Sequence, residues 1–391
     1  MNLRKVCVVT GSRADYGLLQ GLLEEIRATQ GLDLRVAVTG MHLSPRYGNT
    51  FDQIEKDGFQ ITHRVDVRLD QDTHLGISRS VGLGVSGFAE VFDKDRPDLV
   101  VVLGDRFEIL AATQAAMLAR IPIAHIHGGE ITEGAVDESI RHAITKMANL
   151  HFVTADAHRK RVIQMGENPA HVFNTGAPGL DFIRKAKLLS RAEFEAETGF
   201  LLGAQNFLVT FHPVTLGTRS SKQSLADLLL ALDSFPDAHL IFTRPNADAD
   251  GRVISEMIDD YVSKAKQRRF VATSLGQIRY LSAMKNVQAV IGNSSSGIIE
   301  APALKVATVN IGDRQKGRLS GPSVIHSADD AASIVKAIQK ALSPQFQQQL
   351  ATVSSLYGDG HASAKICQQI ASVHLHDLQR KPFFDQKGVV V

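Results

Sequence analysis

The stretch Leu99-Val100-Val101-Val102-Leu103-Gly104-Asp105-Arg106-Phe107-Glu108 decides the fold. Five apolar residues run without alternation, as a parallel strand covered on both faces requires. Glycine then permits a turn, and an acid and a base stand where the chain leaves the strand. A helical pattern follows over 106–118. The same rhythm predicts strands at 6–10, 34–39, 121–126 and 150–154, with helices at 18–28 and 77–92. After a charged stretch at 185–197 a second series begins. Its strands are expected at 207–211, 239–242, 289–291 and 307–311, separated by helices at 224–232, 253–265 and 277–285. Alternation of this kind implies doubly wound parallel sheets. Two α/β domains are expected, residues 1–180 and 190–375, joined near Ser190 and facing each other across a central cleft. The segment 331–376 reads as helix interrupted at Pro344 and at 358–360, and is expected to cross back to the first domain. The tail 381–391 is expected to run as an edge segment or to stay loose.

Composition narrows the function. The chain has 391 residues, 44% of them hydrophobic and 21% charged, as in an ordinary globular protein. Lys and Arg total 43 against 41 Asp and Glu, which argues against a nucleic-acid binder. Trp is absent and aromatics are 6%, so a base-stacking surface has little support. Two cysteines, Cys7 and Cys367, exclude a disulfide framework and a cysteine-based zinc cluster. No run approaches the ~20 apolar residues of a membrane helix, and the N-terminus lacks a signal-peptide core. A cytoplasmic protein with no membrane partner is expected.

In open α/β sheets ligands bind beyond the carboxyl ends of the strands, and the unusual residues stand there. The first strand runs into Gly11-Ser12-Arg13-Ala14-Asp15, which offers helix amides and a guanidinium to an anion. It is neither a dinucleotide fingerprint nor a P-loop, and a plain turn is the competing reading. Asp105 and Arg106 stand at the end of the opening stretch, where Asp105 has the alternative of capping the next helix. His125-Ile126-His127-Gly128-Gly129-Glu130 follows a further strand, and Asp137 and Glu138 open the helix carrying Arg141. Strand alternation places His125 and His127 on one side. Paired carboxylates with separated pKa values suit acid–base work. The competing readings are a divalent metal held by the histidines and acids, a core histidine at position 125, and helix-capping acids at 137 and 138. In the second half His212, Asn246, the loop Ser294-Ser295-Ser296-Gly297 and Arg314 follow strands, with Glu300 one turn into a helix. A serine- and glycine-rich loop suits phosphate oxygens, and Glu300 suits ribose hydroxyls.

Nine motifs spread over residues 11–363 carry a family resemblance. They are GSRADYG (11–17), TGMHLSPRYGNT (39–50), VVLGDRFE (101–108), HIHGGE (125–130), DESIRHAITKM (137–147), FHPVT (211–215), GNSSSGIIE (292–300), NIGDRQKGR (310–318) and YGDGHAS (357–363). Together they resemble the hydrolysing UDP-N-acetylglucosamine 2-epimerases of bacterial sialic-acid biosynthesis. The resemblance implies a GT-B-like fold of two Rossmann-type domains. It implies conversion of UDP-N-acetylglucosamine and water to N-acetylmannosamine and UDP through a 2-acetamidoglucal, with no cofactor and no metal, by a homodimer or homotetramer. By resemblance Asp105, Asp137 and His212 are catalytic, with His212 at the leaving diphosphate. Arg13, Arg106, Asn246, Ser294, Ser295, Glu300 and Arg314 match nucleotide contacts, and His42 matches a sugar-pocket histidine. Many relatives carry glutamate where this chain has His127, so proton transfer falls to either His127 or Glu130. The same chemistry on UDP-N,N'-diacetylbacillosamine is the near alternative, and a GT-B glycosyltransferase the distant one.

Overall fold

The computed structural model describes residues 3–71, 73–133, 136–213, 219–244, 251–272, 275–378 and 380–386. The chain divides into two compact units, Met1–Phe182 with Tyr357–Val391, and Ile183–Leu356. Each is built on a parallel sheet. The first contains β1 (Arg4–Thr10), β2 (Leu32–Thr39), β3 (Ile61–Val65), β4 (Leu99–Leu103), β5 (Ile123–Ile126), β6 (Leu150–Val153) and β7 (Val172–Asn174), in the order β3-β2-β1-β4-β5-β6-β7. The second contains β8 (Gln205–Thr210), β9 (Ala238–Thr243), β10 (Arg269–Ala272), β11 (Ala289–Gly292), β12 (Ala307–Ile311) and β13 (Val324–Ser327), in the order β10-β9-β8-β11-β12-β13. Both are doubly wound Rossmann-like sheets, with strand order reversing beside β1 and beside β8.

Central strands are apolar because helices cover both faces, and β4 is buried at all five positions. The four strands that the apolar-run pattern did not predict, β3, β7, β10 and β13, are the four sheet edges. Edge strands are half exposed and carry polar residues such as Thr62, His63 and Arg64, so they lack the continuous run. The helical segment is broken at Pro344 as expected: one helix runs Ala331–Leu342 and ends at the C-cap Ser343. Pro344 opens the helix Pro344–Leu350, whose first amides need no partner within the helix, behind the N-cap Ser343.

The chain returns to the first unit through a specific bond set. The buried Asp181 carboxylate accepts from the amides of Ala362, at 2.8 Å, and Ser363, at 2.6 Å, at the start of the helix Ala362–Ser372. A carboxylate at that end satisfies free amides and suits the helix dipole. Just before it, Gly358 has φ 108, and a Cβ there would lie 2.8 Å from the Gly176 Cα. Two backbones cross at this point and only glycine fits.

The tail is neither an edge strand nor loose where it is described. Lys381 donates to the carbonyls of Lys146 and Ala148, both at 2.6 Å, at the C-terminal end of the helix Val136–Met147. It also reaches the buried carboxylate of Glu167 at 2.8 Å, which accepts from Lys146 at 2.6 Å and lies 2.9 Å from His151 Nε2. Burial alone would raise the Glu167 pKa, but hydrogen bonds from His151, Lys146 and Lys381 hold it at about 2, against an ordinary 4.5. Ionisation near 2 in the native chain and near 4.5 in the unfolded chain makes this contribution complete above pH 4.5 and lost as pH falls towards 2. At ~1.4 kcal/mol per unit it amounts to about 3 kcal/mol. Glu167→Gln should therefore lower the melting temperature at pH 7, with the deficit shrinking at pH 2.5. An equal deficit at both pH values would contradict this.

Candidate active site

In the first unit the candidate groups collect at the carboxyl ends of β1, β4 and β5. After β4, Gly104 turns with φ 79, and the N-cap of the helix Phe107–Leu118 is Arg106, with no side-chain cap. Asp105 is therefore free of capping, and its Oδ2 pairs with Arg141 Nη2. Arg141 is only 3% exposed and acts as a hub. Its Nη1 donates to the Glu130 carbonyl at 2.9 Å and to Glu138 Oε2 at 3.2 Å, and its Nη2 to Thr132 Oγ1 at 3.0 Å.

The two adjacent acids separate in role. Glu138 Oε2 also accepts the Thr132 amide at 2.5 Å, and its Oε1 lies 3.1 Å from His142 Nε2, so it braces the loop. Asp137 is on the exposed first turn of the same helix. Nearby groups still strip enough water to push its carboxyl up, desolvation acting first and the Asp105 charge second, against Arg106 and Arg141.

The two histidines also separate. β5 ends at Ile126, and His127 takes a left-handed φ of 70, so strand alternation no longer relates it to His125. His125 is wholly buried, with Nε2 2.8 Å from the Gly104 carbonyl and Nδ1 3.1 Å from Thr145 Oγ1. Burial holds its pKa down at about 3. It is a core histidine with both nitrogens occupied. His127 Nδ1 lies 3.0 Å from Glu130 Oε1, while its Nε2 is buried without a partner. Glu130 is itself held by Thr154 Oγ1 at 3.1 Å. A non-glycine residue in left-handed backbone is strained, and such strain concentrates at functional sites. Among the described residues no three His, Cys, Asp or Glu side chains gather as a metal ion would need.

Arg13 is exposed in the first turn of the helix Arg13–Ala28, whose N-cap Ser12 accepts from the Asp15 amide at 3.3 Å. Asp15 is buried, which pushes its pKa to about 6, with Arg106 lowering it and Glu108 raising it. His42 is placed differently from the sugar-pocket expectation. It is wholly buried, its Nε2 3.0 Å from Thr10 Oγ1 and its Nδ1 2.8 Å from Thr50 Oγ1. Burial holds its pKa at about 4, so it joins the end of β1 to the loop after β2 as a neutral core residue.

In the second unit, His212 and Asn293 clamp the ends of β8 and β11. The His212 amide donates to Asn293 Oδ1 at 2.7 Å, and Asn293 Nδ2 donates to the His212 carbonyl at 2.8 Å. The His212 Nδ1 is buried without a partner, and burial, then Arg314, hold its pKa at about 4. Gly292 has φ 137, and a Cβ there would stand 1.9 Å from the Thr210 carbonyl oxygen, so the serine loop requires glycine. Ser294 Oγ is 3.0 Å from Ser296 Oγ, which is 2.5 Å from Tyr280 Oη. The helix that follows, Ser296–Ile299, is a single turn, so hydroxyls and not a helix dipole dominate this loop. Glu300 ends that turn half-buried, and desolvation pushes it up to about 7. Arg314 Nη1 and Gln315 Nε2 both reach the Asn293 carbonyl, at 3.0 and 2.9 Å. Beside them opens a pocket of about 590 Å³ lined by Asn293, Gln315, Lys316, Arg318 and Arg219. Ser294, Ser295, Glu300 and Arg314 do not line it. Asn246 lies outside the described residues.

Comparison with known proteins adds a family to this geometry. The profile of a family described as UDP-N-acetylglucosamine 2-epimerase matches residues 24–371. The chain belongs to that family. A Campylobacter jejuni relative, GDP/UDP-N,N'-diacetylbacillosamine 2-epimerase (hydrolyzing), is 39% identical over 98% of this chain and 100% of its own. The Escherichia coli polysialic acid biosynthesis protein P7 is 41% identical over 91% of this chain and 90% of its own. The solved UDP-GlcNAc 2-epimerase of Neisseria meningitidis, bound to UDP-GlcNAc, superposes with a TM-score of 0.73 at 17% identity, covering 94% and 99% of the two chains. That likeness shows the shared fold, of the GT-B-like kind. No helix among the described residues is long and apolar enough to cross a membrane.

In this 2-epimerase-family chain, sequence reasoning did not single out Arg141, Asp15, Glu108 and Tyr280, which the structure sets against the candidate groups. Arg141 carried one usable signal, since its spacing from Asp137 and Glu138 puts all three on one helix face. Asp15 and Glu108 stand in the strand-end motifs, whereas Tyr280 is brought in by packing alone.

Proposed function

We propose that this chain is a hydrolysing 2-epimerase that converts UDP-N-acetylglucosamine and water to N-acetylmannosamine and UDP. The observation that carries the reading is His127, tied through Nδ1 to Glu130 with Nε2 unpartnered, in the unit where Asp105 meets Arg141. With Nδ1–H donated to Glu130, Nε2 keeps a lone pair, the arrangement of an oriented general base. His127 takes the C2 proton, the C1–O bond breaks, and UDP leaves with its electron pair, giving the 2-acetamidoglucal. Asp137, whose carboxyl is pushed up by desolvation and then by the Asp105 charge, protonates C2 from the opposite face. Water adds to the cationic C1 and gives its proton to Asp105, which restores Asp137. His127 releases its proton to solvent. The second unit serves the nucleotide: the serine loop and Arg314 suit the diphosphate, and Glu300 the ribose. His212, neutral at rest, donates to the leaving diphosphate.

The Campylobacter relative favours a second reading, the same chemistry on UDP-N,N'-diacetylbacillosamine. Incubating the chain with each UDP-sugar, without acceptor, and measuring free UDP and sugar tests both. Release of UDP and N-acetylmannosamine from the first substrate is expected. Release from the diacetylated sugar alone would transfer the assignment to the second reading. Sugar transfer that requires an acceptor would indicate a glycosyltransferase.

A further inference from the structure

Glu108 lies in the first turn after β4 and is completely buried. Its Oε1 accepts from Arg106 Nε at 2.6 Å, and its Oε2 has no partner. The side chain is threaded between the ends of β1 and β2. A Cβ on Gly11 would stand 2.7 Å from its Cγ and Oε1, and a Cβ on Gly40 would stand 3.0 Å from Oε1. Gly40 has φ 58, and the two loops are fastened by the Met41 amide on the Gly11 carbonyl at 2.8 Å. The neighbouring Asp15 also buries an oxygen, Oδ2, without a partner.

Such a placement is costly. Removing a carboxylate from water is worth several kcal/mol against folding, and an apolar side chain of similar volume would pack at least as well. The arrangement acts on Arg106. The guanidinium is gripped at Nε, its side chain is 32% exposed, and among the described residues neither Nη1 nor Nη2 makes a hydrogen bond. An arginine held this way offers its two NH₂ groups as a fixed fork for anionic oxygens. We propose that Glu108 is the positioning residue for Arg106, fixing that fork to receive the diphosphate of the UDP-sugar. The inference rests on the proposed function for its ligand, and on the Glu108 contacts for its mechanism. Glu108 touches no substrate. It acts through Arg106, and the two glycines are what make room for it.

The test is a double-substitution cycle in the full chain, with Glu108→Gln, Arg106→Lys and the pair, read on UDP affinity by calorimetry and on kcat and KM for UDP release. Loss of a charge-assisted bond predicts about a tenfold loss for each single substitution. The pair should lose no more than the worse single substitution, because both remove the same fork. Glu108→Asp, which keeps the charge but retracts it by one methylene, should lose less than Glu108→Gln, and it substitutes for that variant if the amide does not fold. A merely structural role predicts a lowered melting temperature, affinity and kcat/KM within twofold per folded molecule, and effects that multiply in the pair. That result would overturn the proposal. If the parent chain releases UDP from neither UDP-sugar, the functional reading fails. The cycle read on UDP affinity alone then still decides whether Glu108 acts through Arg106.

Discussion

His127→Asn is expected to slow UDP release about 10³-fold while leaving UDP affinity within a few-fold, the loss typical of removing a positioned general base. Asparagine is chosen because residue 127 has φ 70, and asparagine adopts left-handed backbone with little strain. The backbone path, including the bond from the His127 amide to the Phe152 carbonyl at 3.1 Å, should survive. Glu130→Gln should cost less. Its amide oxygen can still accept from Thr154, which now meets Glu130 Oε1 at 3.1 Å. Its NH₂ can be turned towards His127, where it favours the tautomer with the proton on Nε2, the wrong one for a base. UDP release is measured continuously, with a thermal melt to confirm folding. A His127→Asn rate within tenfold of the parent would remove His127 from the elimination step and leave Glu130 as the group to test.

The sequence made the fold legible where burial is complete and the roles illegible where packing decides them. β4, buried at all five residues, was readable as an apolar run with the predicted bounds. β3, with burial falling off through Thr62, His63 and Arg64, was not. At the candidate site, motif spacing singles out Asp105, His127, Glu130 and Asp137 but does not distribute work among them. His125 and His127 are two residues apart and chemically identical, and the difference is that the strand ends between them. The one ring is occupied by the Gly104 carbonyl and Thr145, the other is carried on left-handed backbone to Glu130 with Nε2 unpartnered. Asp137 and Glu138 are adjacent carboxylates, and only the loop that folds over them engages Glu138 with the Thr132 amide. His42 shows the converse. Its motif suggested a pocket wall, whereas two threonine hydroxyls, one from β1 and one from the loop after β2, enclose both ring nitrogens. No one-dimensional pattern contains these contacts, because each partner arrives from another strand end.

Asp105→Asn should change the product more than the first step. N-acetylmannosamine formation is expected to fall about 10³-fold, with UDP release affected less, so that 2-acetamidoglucal accumulates and is visible by proton NMR. The effect runs through two neighbours. The Asp105 charge is the second cause, after desolvation, of the raised Asp137 pKa, and Arg106 and Arg141 oppose it. A neutral amide at position 105 removes that contribution. Asp137 then ionises at lower pH and is a poorer source of the C2 proton, while the water adding to C1 loses its acceptor. Arg141 keeps Glu138 at 3.2 Å and can still donate to the amide oxygen, so the buried guanidinium is not left without a counter-charge. That matters because stripping both partners from a buried charge costs about 3–5 kcal/mol and would confuse the result with misfolding. Residual N-acetylmannosamine formation should also have an acid-shifted pH profile, since the group supplying the proton now titrates lower. N-acetylmannosamine formed at the parent rate would defeat the mechanism. Both products falling in step would move Asp105 into the elimination, leaving rehydration to Asp137 alone.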